Sequence, residues 1–152
     1  MAAAAPTVHG SAVLAGARAV LIRGPAGAGK SRLVLALLNA AETGLLRFAR
    51  LVGDDRVHLE PSHDHLLVRP ATTLGGLIEV RGVGIRRLDH EPVAVVGLVV
   101  DLAASDAERL PTAPETVVRG IRLPRLAVAE GTDPLPAVLA LLRLPGADQV
   151  AH

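Results

Sequence analysis

The 152-residue sequence lacks cysteine, tryptophan and tyrosine, and Phe48 is its only aromatic residue. The absence of cysteine excludes disulfide bonds, cysteine-bound zinc and thiol catalysis, and it is compatible with a reducing cytoplasm. Because aromatic side chains are almost missing, the bases of a nucleic acid would find no platform for stacking. The core must therefore consist of aliphatic side chains that make many small, close contacts.

Charge of one sign is not concentrated anywhere along the chain. Sixteen basic and fifteen acidic residues give a net charge of +1, and their scatter offers no basic surface to a nucleic acid. No apolar run reaches the roughly 18 residues that cross a bilayer, so no membrane association is expected. The start, MAAAAPTV, lacks the basic end and long apolar middle of a signal peptide. We expect a cytoplasmic protein.

Hydrophobic patterning predicts one α/β domain with a mixed sheet, because strands and helices do not alternate strictly. The expected strands lie at 11–15, 18–24, 47–55, 56–60, 65–69 and 91–103, with two short ones within 116–130. The expected helices lie at 30–41 and 133–144, with Asp133 as N-cap and Pro134 in the first helical position. A mobile loop is expected over 105–116. We predict a disordered segment over 1–7, a domain over 8–145 and a tail over 146–152.

One stretch contains the only lysine of the chain, although fifteen arginines occur elsewhere. GPAGAGKS, residues 24–31, matches G-x-x-x-x-G-K-[ST], and it stands between a predicted strand and a predicted helix. Such a loop binds nucleotide phosphates through inward-pointing amides and the positive end of the following helix. The predicted nucleotide-binding residues are Gly24, Pro25, Ala26, Gly27, Ala28, Gly29, Lys30 and Ser31.

The lysine itself has a chemical reason to be there. The compact ammonium of Lys30 can lie between the β- and γ-phosphate oxygens, where the planar fork of an arginine fits poorly. The hydroxyl of Ser31 can bind Mg²⁺. The alternative, a glycine-rich turn with a chance lysine, leaves the match to the whole pattern unexplained.

Two strand ends carry acids that could stand beside such a loop. RLVGDD places Asp54 and Asp55 directly after an apolar run, and VAVVGLVVD places Asp101 in a similar position. Adjacent carboxylates near a metal could divide the work, one supporting the metal while the other takes a proton from a hydroxyl nucleophile. Periodicity does not choose between the pair and Asp101.

Four motifs in order, VHG (8–10), GPAGAGKS (24–31), LVGDDRV (51–57) and LIEVRGVGI (77–85), resemble the catalytic domain of HPr kinase/phosphorylase. The resemblance covers roughly residues 8–130, and the Glu-x-Arg-Gly-x-Gly element is its most specific part. It implies a P-loop kinase domain with an architecture like that of PEP carboxykinase. Since the family also has an N-terminal domain, the chain looks like a short form that consists of the catalytic domain.

The resemblance also implies a reaction, which is ATP- and Mg²⁺-dependent phosphorylation of a serine of HPr, the phosphocarrier of the bacterial phosphotransferase system. By position, Lys30 would contact the phosphates, and Ser31 and Glu79 would hold Mg²⁺. Asp55 would be the catalytic base with Asp54 as its supporting neighbour. His9 would be the active-site histidine, and Arg109 would be an arginine near the transferred phosphate. A homo-oligomer, a hexamer, is implied as well.

The sequence departs from the family pattern after its late strand, and the connector between the helix and the DD pair is also longer than usual. Family members carry a PxRPGRN-like stretch, associated with dephosphorylation, where residues 123–134 here read LPRLAVAEGTDP. The stretch associated with the reverse reaction, dephosphorylation of phospho-HPr, therefore has a different sequence in this chain. Two other functions stay open, a P-loop kinase for a small molecule and a nucleotide-binding sensor without catalysis. The first would need several basic residues in the 105–116 loop, which has only Arg109.

Overall fold

The computed structural model describes residues 6–71, 75–108 and 114–144. The strands are β1 (Val8–His9), β2 (Ser11–Ala15), β3 (Arg18–Arg23), β4 (Ala49–Gly53), β5 (Arg56–Ser62), β6 (His65–Pro70), β7 (Leu77–Val80), β8 (Gly84–Arg87), β9 (Ala94–Asp101), β10 (Glu115–Val118) and β11 (Ile121–Ala127). The helices are α1 (Lys30–Glu42) and α2 (Leu135–Arg143).

Nine strands form one mixed sheet in the order β1-β5-β6-β9-β3-β2-β4, and β11 with its hairpin partner β10 joins at the end of β9. Strands β3 and β9 are parallel, whereas β2 is antiparallel to both β3 and β4. It follows that β3, β4 and β9 end at the same edge of the sheet, where β2 begins. Chain segments that leave these strands are therefore brought together at that edge.

The two faces of the sheet are covered differently. Helices α1 and α2 cover one face, and α1 buries Leu33, Val34, Leu37 and Ala40 there at helical spacing. On the other face the β5–β6 and β10–β11 hairpins contribute Val57, Leu59, Val118 and Leu123 to a second apolar cluster. The aliphatic core expected from the composition is thus split into two layers by the sheet.

The predicted α/β class and mixed sheet are confirmed, and most elements lie where they were expected. The strand expected over 91–103 begins only at Ala94, because the backbone N–H of Glu91 donates to Leu51 and its carboxylate pairs with Arg50 at 3.2 Å. Strand β4 ends at Gly53, so the acidic pair follows the strand instead of finishing it.

Helix α2 begins at Leu135, and the Asp133 carboxylate accepts a hydrogen bond from the Leu135 backbone N–H at 3.1 Å. The N-cap is Pro134, so the helix begins one residue later than predicted, and Asp133 makes this contact from the position before the N-cap. Strand β10 begins at Glu115, inside the segment predicted as a loop, because its residues pair with β11. Residues 109–113 of that loop, 1–5 of the predicted disordered segment and the whole predicted tail lie outside the described residues.

Three strands were not predicted. Strand β1 has only two residues, too few to form a pattern, and it pairs with β5. Strands β7 and β8 form a separate two-stranded sheet, and Gly82 in its turn and Gly84 at the start of β8 have φ angles of 81° and 104°. Ile78 of β7 is buried with the α1 side chains, which fixes this hairpin against the helix layer. Within the described ranges, neither helix is long and apolar enough to cross a membrane.

Candidate active site

The glycine-rich segment forms a loop between the end of β3 and the start of α1. Gly27 and Gly29 have φ angles of 81° and 102°, in the left-handed region that glycine adopts without strain. The backbone N–H of Ala28 donates to the Pro25 carbonyl at 3.1 Å, and that of Leu33 donates to the Gly29 carbonyl at 3.0 Å. The loop therefore leads directly into the first turn of α1, as the sequence pattern predicts.

Lys30 is buried, with 8% of its surface exposed. Its ammonium donates hydrogen bonds to the carbonyl oxygens of Gly24 at 2.8 Å and Pro25 at 3.1 Å. An ammonium group carries three donors, and within the described part of the chain these two carbonyls are its hydrogen-bond acceptors. The only lysine of the sequence thus lies against the loop, with its charge at the start of the helix.

The first aspartate of the pair, Asp54, is buried and connects two elements. Its carboxylate accepts a hydrogen bond from the Ser11 hydroxyl at 2.6 Å, and its two oxygens lie 2.9 and 2.8 Å from the Ser31 hydroxyl. Asp54 is 4% exposed and Ser11 is fully buried. The acid after β4, the start of β2 and the start of α1 are therefore held together by charge-assisted hydrogen bonds.

The second aspartate, Asp55, faces outward. Its side chain is 64% exposed and lies 3.0 Å from Nε2 of His9, whose side chain is 44% exposed. Asp55 has a φ of 67°, an uncommon conformation for a residue other than glycine. Its backbone N–H donates to the Ser11 hydroxyl at 3.3 Å, and its carbonyl accepts from Gly10 at 3.0 Å. Strain held by surrounding bonds in this way is frequent at functional sites.

Sequence reasoning did not identify Ser11, which hydrogen-bonds to both aspartates. Its hydroxyl donates to the Asp54 carboxylate and accepts from the Asp55 backbone. The residue directly follows the His-Gly motif, but a single serine at the start of a strand carries no sequence signal that separates it from other serines. Its role becomes visible only when the edge of the sheet is assembled.

The competing acid, Asp101, is engaged elsewhere. It accepts hydrogen bonds from Arg23 at 2.7 and 2.8 Å and from Arg125 at 2.5 Å, and Arg125 also pairs with Asp106. Burial raises the pKa of Asp101, whereas the hydrogen bonds from Arg23 and Arg125 lower it. The lowering is the larger effect, so the pKa lies below the usual value. Of the two candidates, Asp54 is the acid whose carboxylate contacts Ser31 of the loop.

One predicted site residue, Glu79, is not joined to this network within the described part of the chain. Glu79 lies in β7 with an exposed side chain, and within the described part of the chain it takes part in no hydrogen bond or ion pair between side chains. Its neighbour across the hairpin is Ile85. Arg109 lies outside the described residues. The structure therefore brings together His9, Lys30, Ser31, Asp54 and Asp55 around the loop, with Ser11 in addition.

Comparison with known proteins shows the family and the fold of the chain. The family described as the HPr serine kinase C-terminal domain matches residues 1–91, more than half of the 152-residue chain. The solved structure of the HPr(Ser) kinase/phosphatase from Coxiella burnetii is similar in fold, with a TM-score of 0.71 and 24% sequence identity. The alignment covers 91% of this chain and 88% of that one. No curated protein matches the sequence. The chain belongs to the family of HPr serine kinase C-terminal domains.

Proposed function

We propose that this protein transfers the γ-phosphoryl group of ATP to a serine hydroxyl of HPr, in a Mg²⁺-dependent reaction. The observation that carries the proposal is the different setting of two adjacent carboxylates. Asp54 is buried against Ser31 of the phosphate loop, whereas Asp55 is exposed beside His9. This difference supports a role of Asp54 toward the nucleotide and its metal, and a role of Asp55 toward an incoming hydroxyl group.

The loop residues Gly24–Ser31 would hold the phosphate groups. Backbone N–H groups of the loop and of the first turn of α1 are donors for phosphate oxygens, and the helix dipole favours negative charge at the same point. The ammonium of Lys30, now on the carbonyls of Gly24 and Pro25, would turn to the β- and γ-phosphates. A short movement of a flexible side chain is enough, because Lys30 already lies within the loop.

The residues beside the loop fit a magnesium ion, since the Ser31 hydroxyl and the Asp54 carboxylate offer neighbouring oxygen donors. We propose that Ser31 and Glu79 would hold the ion, with Asp54 orienting Ser31 and accepting from bound water. The carboxylate of Glu79 is exposed and forms no ion pair within the described part of the chain, so it is available to bind the ion. The ion would neutralise charge on the transferred phosphoryl group.

The proton transfer falls to Asp55. In the proposed step, the serine oxygen of HPr forms a bond to the γ-phosphorus while the bond to the β–γ bridging oxygen breaks, and ADP leaves. The Asp55 carboxylate takes the serine proton. His9, 3.0 Å away, would orient this carboxylate. The backbone of Asp55, held at a φ of 67° by Ser11 and Gly10, keeps the carboxylate directed outward to a protein substrate.

The test is transfer of labelled phosphate from ATP to purified HPr, with Asp55→Asn as the decisive variant. Removing a general base lowers the rate by about a hundredfold or more. Affinity for ATP should stay within about twofold of wild type, because Asp55 does not contact the loop. Asp64→Asn is the matched control, since Asp64 is an exposed aspartate in the turn between β5 and β6.

Each result separates this proposal from its alternatives. Wild-type protein that binds ATP but never labels HPr would favour the non-catalytic sensor or a kinase for a small molecule. Transfer that survives Asp55→Asn would remove Asp55 from the role of base. The resemblance further implies a cytoplasmic homo-oligomer, a hexamer, and sedimentation analysis of the purified protein tests that subunit number.

A further inference from the structure

The residue that precedes the phosphate loop, Arg23, is tied to the neighbouring strand by its side chain. Its guanidinium group donates two hydrogen bonds to the Asp101 carboxylate of β9, from Nε at 2.7 Å and from Nη2 at 2.8 Å. Two parallel bonds of this kind fix the orientation of the guanidinium plane as well as its distance from the carboxylate. The two residues are also register partners in the parallel pair of β3 and β9. The last residue of β3 is therefore held through its side chain and its backbone.

The backbone contacts continue from Arg23 into the loop. The Arg23 carbonyl accepts a hydrogen bond from the backbone N–H of Leu102 at 2.8 Å. Gly24 lies so close to Leu102 that a Cβ at position 24 would stand 3.1 Å from the Leu102 Cβ. The Gly24 carbonyl in turn accepts from the Lys30 ammonium at 2.8 Å. A continuous set of contacts thus runs from Asp101 through Arg23 and Gly24 to the lysine of the loop.

Asp101 is fixed from its other side as well. Nε of Arg125 donates to its second carboxylate oxygen at 2.5 Å, and the remaining nitrogens of Arg125 pair with Asp106 at 2.8 and 3.1 Å. The backbone carbonyl of Asp101 accepts from Val128 at 2.8 Å. The acid therefore connects the carboxyl ends of three parallel strands, β3, β9 and β11.

The charges of this group cancel. It contains two arginines and two aspartates, Arg23, Asp101, Arg125 and Asp106. A neutral group gives little long-range attraction for a polyanion such as a nucleotide. What the ion pairs supply at the entry of the loop is a fixed geometry.

We propose that Arg23 is a positioning residue of the nucleotide site. Its paired guanidinium group holds Gly24, and with it the loop and the Lys30 ammonium, in the conformation that receives phosphate groups before the nucleotide binds. The inference deepens the proposed function and rests on its nucleotide-binding part. A loop that is already ordered loses less conformational freedom on binding, so the ligand is bound more tightly.

The experiment measures KM and kcat for ATP in the labelled-phosphate assay with Arg23→Gln, which removes the charge and the paired bonds. Ordering the loop during binding weakens the binding of substrate and transition state equally. KM should therefore rise about tenfold while kcat stays within about threefold of wild type. The dissociation constants of ATP and of inorganic tripolyphosphate should rise by the same factor, because the affected contacts are those to phosphate groups.

Two further variants calibrate this effect. Arg23→Lys keeps the charge but lacks the planar fork, so KM should rise by about threefold, less than in Arg23→Gln. Arg18→Gln is the matched control, because Arg18 is an exposed arginine at the opposite end of the same strand. Its KM should stay within about twofold of wild type.

Asp101→Asn distinguishes positioning from direct contact between Arg23 and the phosphates. If Arg23 bound a phosphate itself, removing its partner would leave ATP affinity unchanged or raise it. If Arg23 acts through its pairing, Asp101→Asn should weaken ATP binding as Arg23→Gln does. The double variant should then lose less affinity than the product of the two single losses, because the two residues act as one unit.

The results separate this inference from the proposed function. If wild-type protein binds neither ATP nor tripolyphosphate, the proposed function itself fails. If wild-type protein binds ATP, but the KM of Arg23→Gln stays within about twofold of wild type, Arg23 does not position the loop. A variant with a lower unfolding midpoint but an unchanged KM, assayed well below that midpoint, would show a structural role alone.

A second measurement on the wild-type protein guards against a variant that fails to fold. The Arg23 Nε–H proton, observed by NMR, should exchange slowly with water both without ligand and with ATP. The exposed Arg18 is the internal control and should exchange fast in both states. Fast exchange at Arg23 that becomes slow only with ATP would mean that the nucleotide creates the order, and the inference would be overturned.

Discussion

The hydroxyl of Ser31 lies 2.8 and 2.9 Å from the two carboxylate oxygens of Asp54. This contact joins the first turn of α1 to the residue that follows β4, so the phosphate loop and the acidic pair hold a fixed relative position. Because Asp54 is buried, the bond is shielded from water and is stronger than a surface contact. Because Asp55 is the next residue in the chain, this contact also restricts the position of the Asp55 backbone.

The first prediction concerns Ser11, which holds both aspartates. Ser11→Ala removes the 2.6 Å hydrogen bond to Asp54 and the acceptor for the Asp55 backbone N–H. Loss of one hydrogen-bond donor to a buried carboxylate should lower the free energy of unfolding by about 1–3 kcal/mol. Urea denaturation measures this loss, and the labelled-phosphate assay should show a lower rate because Asp55 is held less firmly.

Ser62→Ala is the control for Ser11, because Ser62 lies at the end of β5 and its hydroxyl hydrogen-bonds to the exposed His63 ring within the described ranges. Its free energy of unfolding should change by less than about 0.5 kcal/mol. If Ser11→Ala is as stable and as active as this control, the hydrogen bonds at Ser11 do not matter for the site.

The second prediction tests whether the position of Lys30, the only lysine of the chain, requires a lysine. Lys30→Arg and Lys30→Ala should each lower phosphate transfer by about a hundredfold or more, since loss of one well-placed charge at a phosphoryl group has effects of that size. The Lys30→Arg variant should be no more active than the Lys30→Ala variant. Lys30 is 8% exposed, and a planar guanidinium does not fit between the loop carbonyls and the phosphates.

Arg122→Lys tests the opposite exchange on an exposed side chain of β11 and should leave transfer unchanged. The unfolding midpoint of each Lys30 variant separates loss of function from loss of structure. Near-normal transfer by Lys30→Arg would show that any cation serves in this position, and the argument from the solitary lysine would fail.

Local sequence signals were sufficient for the elements that surround the loop. The spacing of Leu33 and Leu37 identified α1 because one face of a helix repeats every three to four residues. The glycines at 27 and 29 marked the turn because the backbone there needs positive φ angles. These features depend on neighbours in the chain, which is why pattern reasoning found them.

Features made by distant residues could not be predicted in the same way. Asp54 and Asp101 each follow an apolar strand, but Arg23 and Arg125 pair with Asp101 from 78 and 24 positions away. The pairing of Ser11 with Asp54 spans 43 positions and depends on strand order. The β7–β8 hairpin was missed because its strands have four residues each and an exposed outer face.

The third prediction concerns Asp101, which closes the ion-pair group behind the phosphate loop. Asp101→Asn removes the charge that Arg23 and Arg125 share, so at pH 7 it should lower the free energy of unfolding by about 1–3 kcal/mol. The loss is smaller than for a deeply buried pair, because the Arg23 side chain is 34% exposed. Asp64→Asn should show no such loss.

The pH dependence of this difference follows from the direction of the shift. The pKa of Asp101 in the folded protein lies below its unfolded value because Arg23 and Arg125 donate to the carboxylate. Its contribution is therefore fully present above the unfolded pKa, about 3.9, and is lost as the pH falls toward the folded pKa. The stability gap between wild type and Asp101→Asn should stay constant from pH 7 to 5 and narrow below about pH 4. Urea midpoints at these pH values measure it. A gap that already narrows between pH 7 and 5 would mean that another group is responsible.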